Sequence, residues 1–431
     1  MNEPRTLADW LAYVETLHPK AIALGLDRVS SVAARLAIRI DCPVITVGGT
    51  NGKGSTCAML EAIYRHAGFR TGLYMSPHLT RFNERVRIAG GEATDAALVD
   101  SFEAVDAARA SAPGGAGPTP LTYFEFGTLA ALRLFSRARL DVLILEVGLG
   151  GRLDAVNVVD ADVAVITTVD IDHVDYLGTT RDDIGREKAG IFRAARQAIC
   201  GDPDPPPSLT DRAAALGAPL WRVGRDYTYA AEGAQWRYQG PGGPRYGLPI
   251  PALRGAHQLG NAATALAAID ALRERLPAPA GAVRDGLVGV ELPGRFQVLP
   301  GRPTIVLDVA HNPHAARVLA DALFAMGFHP RTFAVFGMLG DKDIEGVVAA
   351  LAPRIDAWYV APLPGPRGAP AERLESALLG AGVGRDAIRV FADVGRAFDA
   401  ACGDAHEADR IAAFGSFLTV AAVLAAARAS R

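Results

Sequence analysis

Lysine is scarce in this chain. Of 44 basic residues in 431, only Lys20, Lys53, Lys188 and Lys342 are lysines, and the rest are arginines. Arginine serves for ordinary surface charge, so the few lysines are candidates for chemistry that an always-protonated guanidinium cannot perform. Cysteine is equally sparse: Cys42, Cys57, Cys200 and Cys402 are scattered without a CxxC pair. That excludes a disulfide scaffold and gives no support to a zinc cluster. No apolar run approaches the roughly 20 residues needed to span a bilayer. The N-terminal MNEPRTLADWLAYVETLHPK is acidic-polar and amphipathic, unlike a secretory signal. A net charge of only −3 argues against a general nucleic-acid binder. High hydrophobic content with little net charge argues against disorder. The expectation is a soluble, cytoplasmic protein without membrane or nucleic-acid partners, long enough for about two or three domains.

Short β-branched runs alternate with Ala/Leu-rich helical patterns, the signature of a parallel α/β sheet. Candidate strands are Val44–Val47, Thr71–Tyr74, Val142–Leu145 and Val163–Ile166. Similar runs recur at Thr304–Leu307, Thr332–Phe336, Ala357–Val360 and Ile411–Phe414. Between the two sets, GDPDPPP (Gly201–Pro207) reads as a loop, and the aromatic, Gly-broken Trp221–Tyr246 as a small antiparallel excursion. A helical pattern covers Asn261–Leu276. LPGRFQVLPGRPT (Leu292–Thr304) carries the Pro/Gly punctuation of a domain junction. The boundary is therefore placed near 298, giving domains 1–297 and 298–431. SAPGGAGPTP (Ser111–Pro120) reads as a mobile loop, and no internal repeat is present.

Val44–Val47 runs into Gly48-Gly49-Thr50-Asn51-Gly52-Lys53-Gly54-Ser55-Thr56 and then into a helix-forming segment. A strand, a glycine-rich turn and a helix N-terminus form an anion site, because backbone N–H groups converge there and the helix dipole favours negative charge. Lys53 would reach the β/γ-phosphates, and Ser55 or Thr56 would lie near a metal. The general G-x-x-x-x-G-K-[ST] pattern is met imperfectly. Its first glycine falls on Val47, and Gly54 separates Lys53 from Ser55. The bland alternative is a tight strand–helix turn.

Three further groups belong to strand ends. Asp141-Val-Leu-Ile-Leu-Glu146 places a carboxylate beyond a buried-type strand, where open α/β sheets bind ligands and where Mg²⁺ finds oxygen ligands; a solvated strand end is the alternative. His173 follows the next strand among several acids and is either ligand or structural. Lys188, in GREKAGIF, reads on its own as a salt-bridge or phosphate partner.

Taken in order, GTNGKGS (49–55), SPHL (76–79), LTYFEFGTLAAL (121–132), LEVGLGGRLDA (145–155), DH (172–173), GREKAGIF (185–192), LPGRF (292–296) and DVAHNPHA (308–315) resemble the folylpolyglutamate synthase/dihydrofolate synthase family. This is a branch of the ATP-dependent Mur-type amide ligases, and the resemblance spans about residues 10 to 420. The displaced first glycine is itself a feature of that family. The resemblance implies a P-loop-containing, mostly parallel α/β N-terminal domain with a smaller Rossmann-like α/β C-terminal domain.

The resemblance also implies roles. Gly49–Ser55 would bind ATP; Ser76, Glu146 and His173 match Mg²⁺ ligands at two sites. Lys188 matches an N-carboxylated lysine, which makes chemical sense because a neutral lysine amine can capture CO₂ and become an anionic carbamate, whereas arginine stays protonated. Ala23, Leu24 and Gly25, Thr122, Tyr123, Phe124 and Glu125, and Leu153, Asp154 and Ala155 match pterin- and folate-contacting segments, with Phe124 suited to stacking on a flat ring. Asn261, Arg295 and Asp308 match positions reaching ATP from the far side of a cleft. His311 is implied in closure over substrate, although Asn312-Pro313 also reads as the N-cap and first residue of a helix. Ser416 and His311 are candidates for the glutamate site, and Lys342 is a suspect for the closed cleft. Lys20 reads only as a helix-end charge.

The implied reaction is ATP-dependent joining of L-glutamate to dihydropteroate and to folate glutamate tails, through an acyl phosphate, by a monomeric enzyme. A monofunctional folylpolyglutamate synthase is the nearest alternative. A cell-wall Mur ligase would need a further N-terminal domain for its nucleotide-sugar substrate, and the phosphate loop already begins at residue 48. A P-loop switch ATPase would explain Lys53 and Glu146, but neither Lys188 nor the second domain's D-x-A-H-N-P.

Overall fold

The computed structural model describes residues 5–111 and 117–429, so part of the Ser111–Pro120 loop lies outside the described residues. The first set of strands comprises β1 (Val44–Gly48), β2 (Thr71–Tyr74), β3 (Val86–Ile88), β4 (Gly91–Glu92), β5 (Val142–Glu146), β6 (Val163–Ile166), β7 (Gln197–Cys200) and β8 (Leu220–Arg222). They form one eight-stranded sheet in the order β4-β3-β2-β5-β1-β6-β7-β8. From β2 to β8 the pairing is parallel, and β3 and β4 add an antiparallel edge.

Every residue of β1 and β5 is buried, as continuous apolar runs demand when both faces of a parallel sheet are covered. On one face Val44, Leu143, Leu145 and Ile166 join a core with Phe126, Leu129 and Leu132 of the helix Tyr123–Arg137. The helix Lys53–His66 packs on β1, β2 and β5.

The stretch read as an antiparallel excursion divides in two. Trp221 belongs to β8 and extends the main sheet, because residues 220–222 pair parallel with β7. The separate three-stranded sheet contains β9 (Thr228–Glu232), β10 (Gln235–Gly240) and β11 (Gly243–Pro249). The helix expected at Asn261–Leu276 runs from His257 to Ala271.

The remaining strands are β12 (Gln297–Leu299), β13 (Thr304–Leu307), β14 (Thr332–Phe336), β15 (Ala357–Val360), β16 (Ile388–Val390) and β17 (Arg410–Phe414). Their sheet runs β12-β13-β17-β14-β15-β16, parallel except for β12. It encloses its own core around Phe336, Trp358 and Phe414.

The chain divides into two compact units. The first comprises the chain up to Ala252 together with Leu259–Val290, and the second comprises Leu253–Gln258 with Glu291 onward. The second unit therefore already includes the junction segment Leu292–Gln297, and it recruits a short piece from between the first unit's last strand and helix. No helix among the described residues is long and apolar enough to cross a membrane.

Candidate active site

The centre of the first unit's site is the carboxyl end of β1, which lies between β5 and β6. The chain leaves β1 through Gly48–Gly52 and enters the helix Lys53–His66. The loop is strapped to the end of β6. Thr50 N–H donates to the Thr168 carbonyl at 2.8 Å, Asn51 N–H to Thr168 Oγ1 at 3.1 Å, and Thr167 Oγ1 to the Asn51 carbonyl at 2.6 Å. Two glycines make this possible. Gly49 and Gly52 have φ of 143° and 86°, and a Cβ would collide with Thr167 Oγ1 at the first and with Asn261 Oδ1 at the second. Gly54 and Ser55 are buried in the first turn of the helix. Lys53 Nζ donates to the carbonyls of Gly49 and Thr50 at 3.0 and 3.1 Å, so the ammonium closes its own loop.

Asn261 belongs to the first unit, with its amide against Gly52. The helix His257–Ala271 returns there after the three-stranded excursion, a route that local sequence does not disclose.

Glu146 ends β5 with its carboxylate buried, and Oε2 accepts the N–H of Ser76 at 2.9 Å. Ser76 and Glu146 are thus brought together from neighbouring strands. His173 follows β6 with φ of 52° at the start of a short turn, 3.9 Å from Asp172. Lys188 closes the helix Arg181–Lys188 and is buried. Burial, with Lys53 nearby, lowers its ammonium to about 7, and Asp172 opposes the shift. A lysine held there has a substantial neutral fraction at neutral pH.

Among the described residues there is no cluster of three or more His, Cys, Asp or Glu able to hold a metal. The four residues singled out from the sequence supply two such groups, a serine hydroxyl and a lysine, and lysine becomes an oxygen donor only when carboxylated. A carboxylate, a hydroxyl, an imidazole and a carbamate would be an oxygen-rich, hard donor set, which fits Mg²⁺ or Mn²⁺.

Beside the loop lies a shelf built from three segments. Gly25 N–H donates to the Leu153 carbonyl at 3.3 Å, and Arg28 bonds both the Ala23 carbonyl and Glu125 Oε1 at 2.7 Å. Thr122 and Glu125 are engaged in a reciprocal capping box at the start of the helix Tyr123–Arg137. Their side chains frame the shelf, and Phe124 and Tyr123 are left half-buried upon it.

The Phe124 ring stands over Gly148 and 6.1 Å from the Tyr74 ring. Asp154 braces the next turn, accepting Leu149 N–H at 2.8 Å and Val156 N–H at 3.1 Å. Burial pushes its carboxyl up to about 7 against those bonds. Ala155 follows it in the same turn. Lys20, read as a helix-end charge, instead lines a cavity of about 580 Å³ with Ala23, Leu24, Arg28, Asp175 and Tyr176. The preceding helix has already ended at Glu15.

Sequence reasoning passed over Arg85. It is buried, donates to His78 Nδ1 at 2.8 Å, and lies by the rings of Phe82 and Tyr123. Its segment, Phe82-Asn83-Glu84-Arg85-Val86-Arg87, is rich in polar residues and gives no local signal of burial.

In the second unit, Arg295, Asp308, His311 and Ser416 converge at the carboxyl ends of β13 and β17. Asp308 accepts the N–H groups of Phe296 and Ala310, each at 2.8 Å, and burial raises its carboxyl. Asn312 caps the helix Pro313–Ala325 as its sequence suggests, with Oδ1 accepting Ala315 N–H at 2.9 Å. His311 Nδ1 lies 2.8 Å from the Val309 carbonyl, which can only accept, so Nδ1 carries the proton. Ser416 Oγ accepts Leu418 N–H at 3.2 Å. Lys342 lies half-buried in the loop after β14.

A nucleotide-type loop, a strand-end carboxylate and a second α/β unit define a Mur-type ligase. Residues 47–269 match the Mur ligase middle domain, and residues 294–417 the Mur ligase glutamate ligase domain. The chain is 49% identical over 419 residues to the dihydrofolate synthase/folylpolyglutamate synthase of Escherichia coli strain K12, covering 97% of this chain and 94% of that one. It superposes on E. coli FolC in complex with DHPP and ADP with a TM-score of 0.92 at 48% identity, over 99% of both chains. A bifunctional folylpolyglutamate synthase/dihydrofolate synthase with Mn, AMPPNP and L-glutamate bound gives 0.89 at 48% identity, over 98% of both. The chain belongs to the dihydrofolate synthase/folylpolyglutamate synthase family.

Proposed function

We propose that this protein is an ATP-dependent amide ligase that joins L-glutamate to dihydropteroate and to the glutamate tail of reduced folates. The observation that carries the reading is the position of Lys53. It lies within electrostatic reach of Lys188 and of Asp154, so the phosphate loop adjoins both the buried lysine and the flat-ring shelf.

A carboxylate is inert to amines at neutral pH because oxide is not a viable leaving group. The substrate's carboxylate oxygen attacks the γ-phosphorus of ATP, the bond to the β,γ-bridging oxygen breaks, and ADP leaves. The amine of glutamate then attacks the acyl carbon, a tetrahedral intermediate forms, phosphate departs and a proton is released. Positioning and charge neutralisation supply most of the catalysis in such transfers.

Lys53 and the amides of Gly49–Ser55 hold the phosphates. The shelf of Ala23–Gly25, Tyr123, Phe124 and Leu153–Ala155 fixes the pterin, with Thr122 and Glu125 bracing it. Asn261, Arg295 and Asp308 are assigned to the nucleotide, and His311 and Ser416 to glutamate. Ser76, Glu146, His173 and carboxylated Lys188 would hold two Mg²⁺ ions, which supply charge neutralisation on the transferring phosphoryl group. The donor chemistry and the lowered Lys188 support that assignment.

Purified protein should release phosphate from ATP only when a pterin acid and L-glutamate are both present, and the product mass should show one added glutamate. Turnover with tetrahydrofolate but none with dihydropteroate would reduce the function to folylpolyglutamate synthase alone. ATP turnover without either substrate would favour a nucleotide switch.

A further inference from the structure

Three loops of the second unit are laced together by their main chains. Val309 N–H donates to the Gly294 carbonyl, Gly415 N–H to the Ala310 carbonyl, both at 3.0 Å, and Phe296 N–H to Asp308. Phe296 has φ of 45°, a left-handed conformation that a phenylalanine rarely adopts. Such strain persists only where surrounding bonds over-determine it, as these do. The turn bearing Arg295 is therefore fixed.

A fixed main chain does not fix a long side chain, because the Arg295 stem retains its rotamers. Arg295 Nη1 donates to the Gly294 carbonyl at 3.4 Å, and an aromatic ring adds a second restraint. Phe417 opens the helix Phe417–Ala429, directly after Ser416. Arg295 Cζ lies 5.0 Å from the Phe417 ring centroid. The His311 imidazole lies 6.4 Å from the same ring, with 51° between the planes. Core packing does not account for this residue: Phe414, three positions earlier, fills the buried site among Phe336 and Trp358, whereas Phe417 is only half-buried.

We propose that Phe417 is a positioning residue that sets Arg295 and His311 in register, so that nucleotide and glutamate binding depend on one aromatic ring. The inference rests on the roles given above to Arg295 and His311. Phe417 itself touches no reacting atom. It acts through the guanidinium that its π-face attracts and the imidazole that it supports.

The test compares Phe417→Leu, which keeps apolar bulk without a π-face, with Phe417→Tyr, which keeps the ring. The leucine variant should raise KM for ATP and for glutamate together, by roughly three- to tenfold. It should leave the KM of the pterin acid and the melting temperature unchanged, and tyrosine should restore both values. In an Arg295→Ala background, Phe417→Leu should cause no further loss of ADP affinity measured by calorimetry.

Wild-type KM values in the leucine variant, or equal losses in the leucine and tyrosine variants, would overturn the proposal. Absence of glutamate-dependent phosphate release from the unmodified protein would instead overturn the assigned reaction. Weaker ADP binding by Phe417→Leu would still report the ring's hold on Arg295.

Discussion

A Cβ atom on Gly148 would stand 2.6 Å from Cζ of Phe124. The ring that the sequence marks for stacking is thus seated on the main chain of the loop after β5, and that loop leads on to Asp154. A methyl group at 148 must displace the ring, at a cost of about 1–3 kcal/mol for overpacking of this kind. Gly148→Ala should raise the KM for the pterin acid roughly tenfold, with ADP affinity unchanged in calorimetry. An unaltered pterin KM would show that Phe124 does not form the floor of the pterin site.

Eight of the parallel strands were legible as short apolar runs between turn signals, and β2, β6, β13, β14 and β15 begin and end where the sequence places them. The interior strand β7 and the sheet edges were not. β8 is three half-buried residues, with no alternation to distinguish it from a loop. The shelf was legible residue by residue but not in its division of labour. Thr122-x-x-Glu125 announces a capping box, yet nothing local reveals that Glu125 also holds Arg28, 97 residues away. The Leu253–Gln258 segment joins the second unit through contacts distant in sequence, which periodicity cannot encode.

His257, in that segment, gives a pH dependence with a definite sign. Its side chain keeps contact with solvent, yet the protein packed around it, reinforced by His314 and Arg295, lowers its imidazolium to about 4, against about 6.5 for an ordinary histidine. Between those values the unfolded chain binds a proton that the folded chain refuses, so stability falls as pH drops from about 6.5 to about 4. His78, lowered to about 4 by burial and Arg85, adds to the same slope. Melting temperatures of His257→Gln should therefore decline less steeply over this range than those of the unmodified protein. Parallel declines would show that His257 titrates alike in the folded and unfolded chains.

Asp270 anchors the three-stranded sheet to the helix His257–Ala271. Its side chain is fully buried, and it accepts from Tyr238 Oη at 2.8 Å, Arg245 Nη2 at 2.9 Å and Gly242 N–H at 3.1 Å. Removing one partner of a buried pair strands the other, at about 3–5 kcal/mol. Asp270→Ala should lower the melting temperature by several degrees, while Asp270→Asn, which keeps an acceptor, should lose less. Equal melting of the alanine variant and the unmodified protein would mean that the excursion contributes nothing to the first unit's cooperative unfolding.

Lys188 tests why lysine was kept where arginine is otherwise the rule. Its ammonium is disfavoured by burial and by Lys53, and the neutral amine that results is the form that reacts with CO₂. Carbamate formation releases a proton and places an anion near Lys53, where an ammonium would be repelled, so both residues gain by it. Isotopically labelled bicarbonate should give a carbamate carbon resonance in the unmodified protein and none in Lys188→Ala. The alanine variant should lose glutamate-dependent phosphate release by about a hundredfold or more, as when a positioned charge is removed from a transition state. A short-chain carboxylic acid filling the vacated space should restore part of it. Lys188→Arg, which cannot capture CO₂, should be as inactive as alanine and show no rescue. Full activity in Lys188→Arg would leave a plain positive charge as the residue's whole contribution.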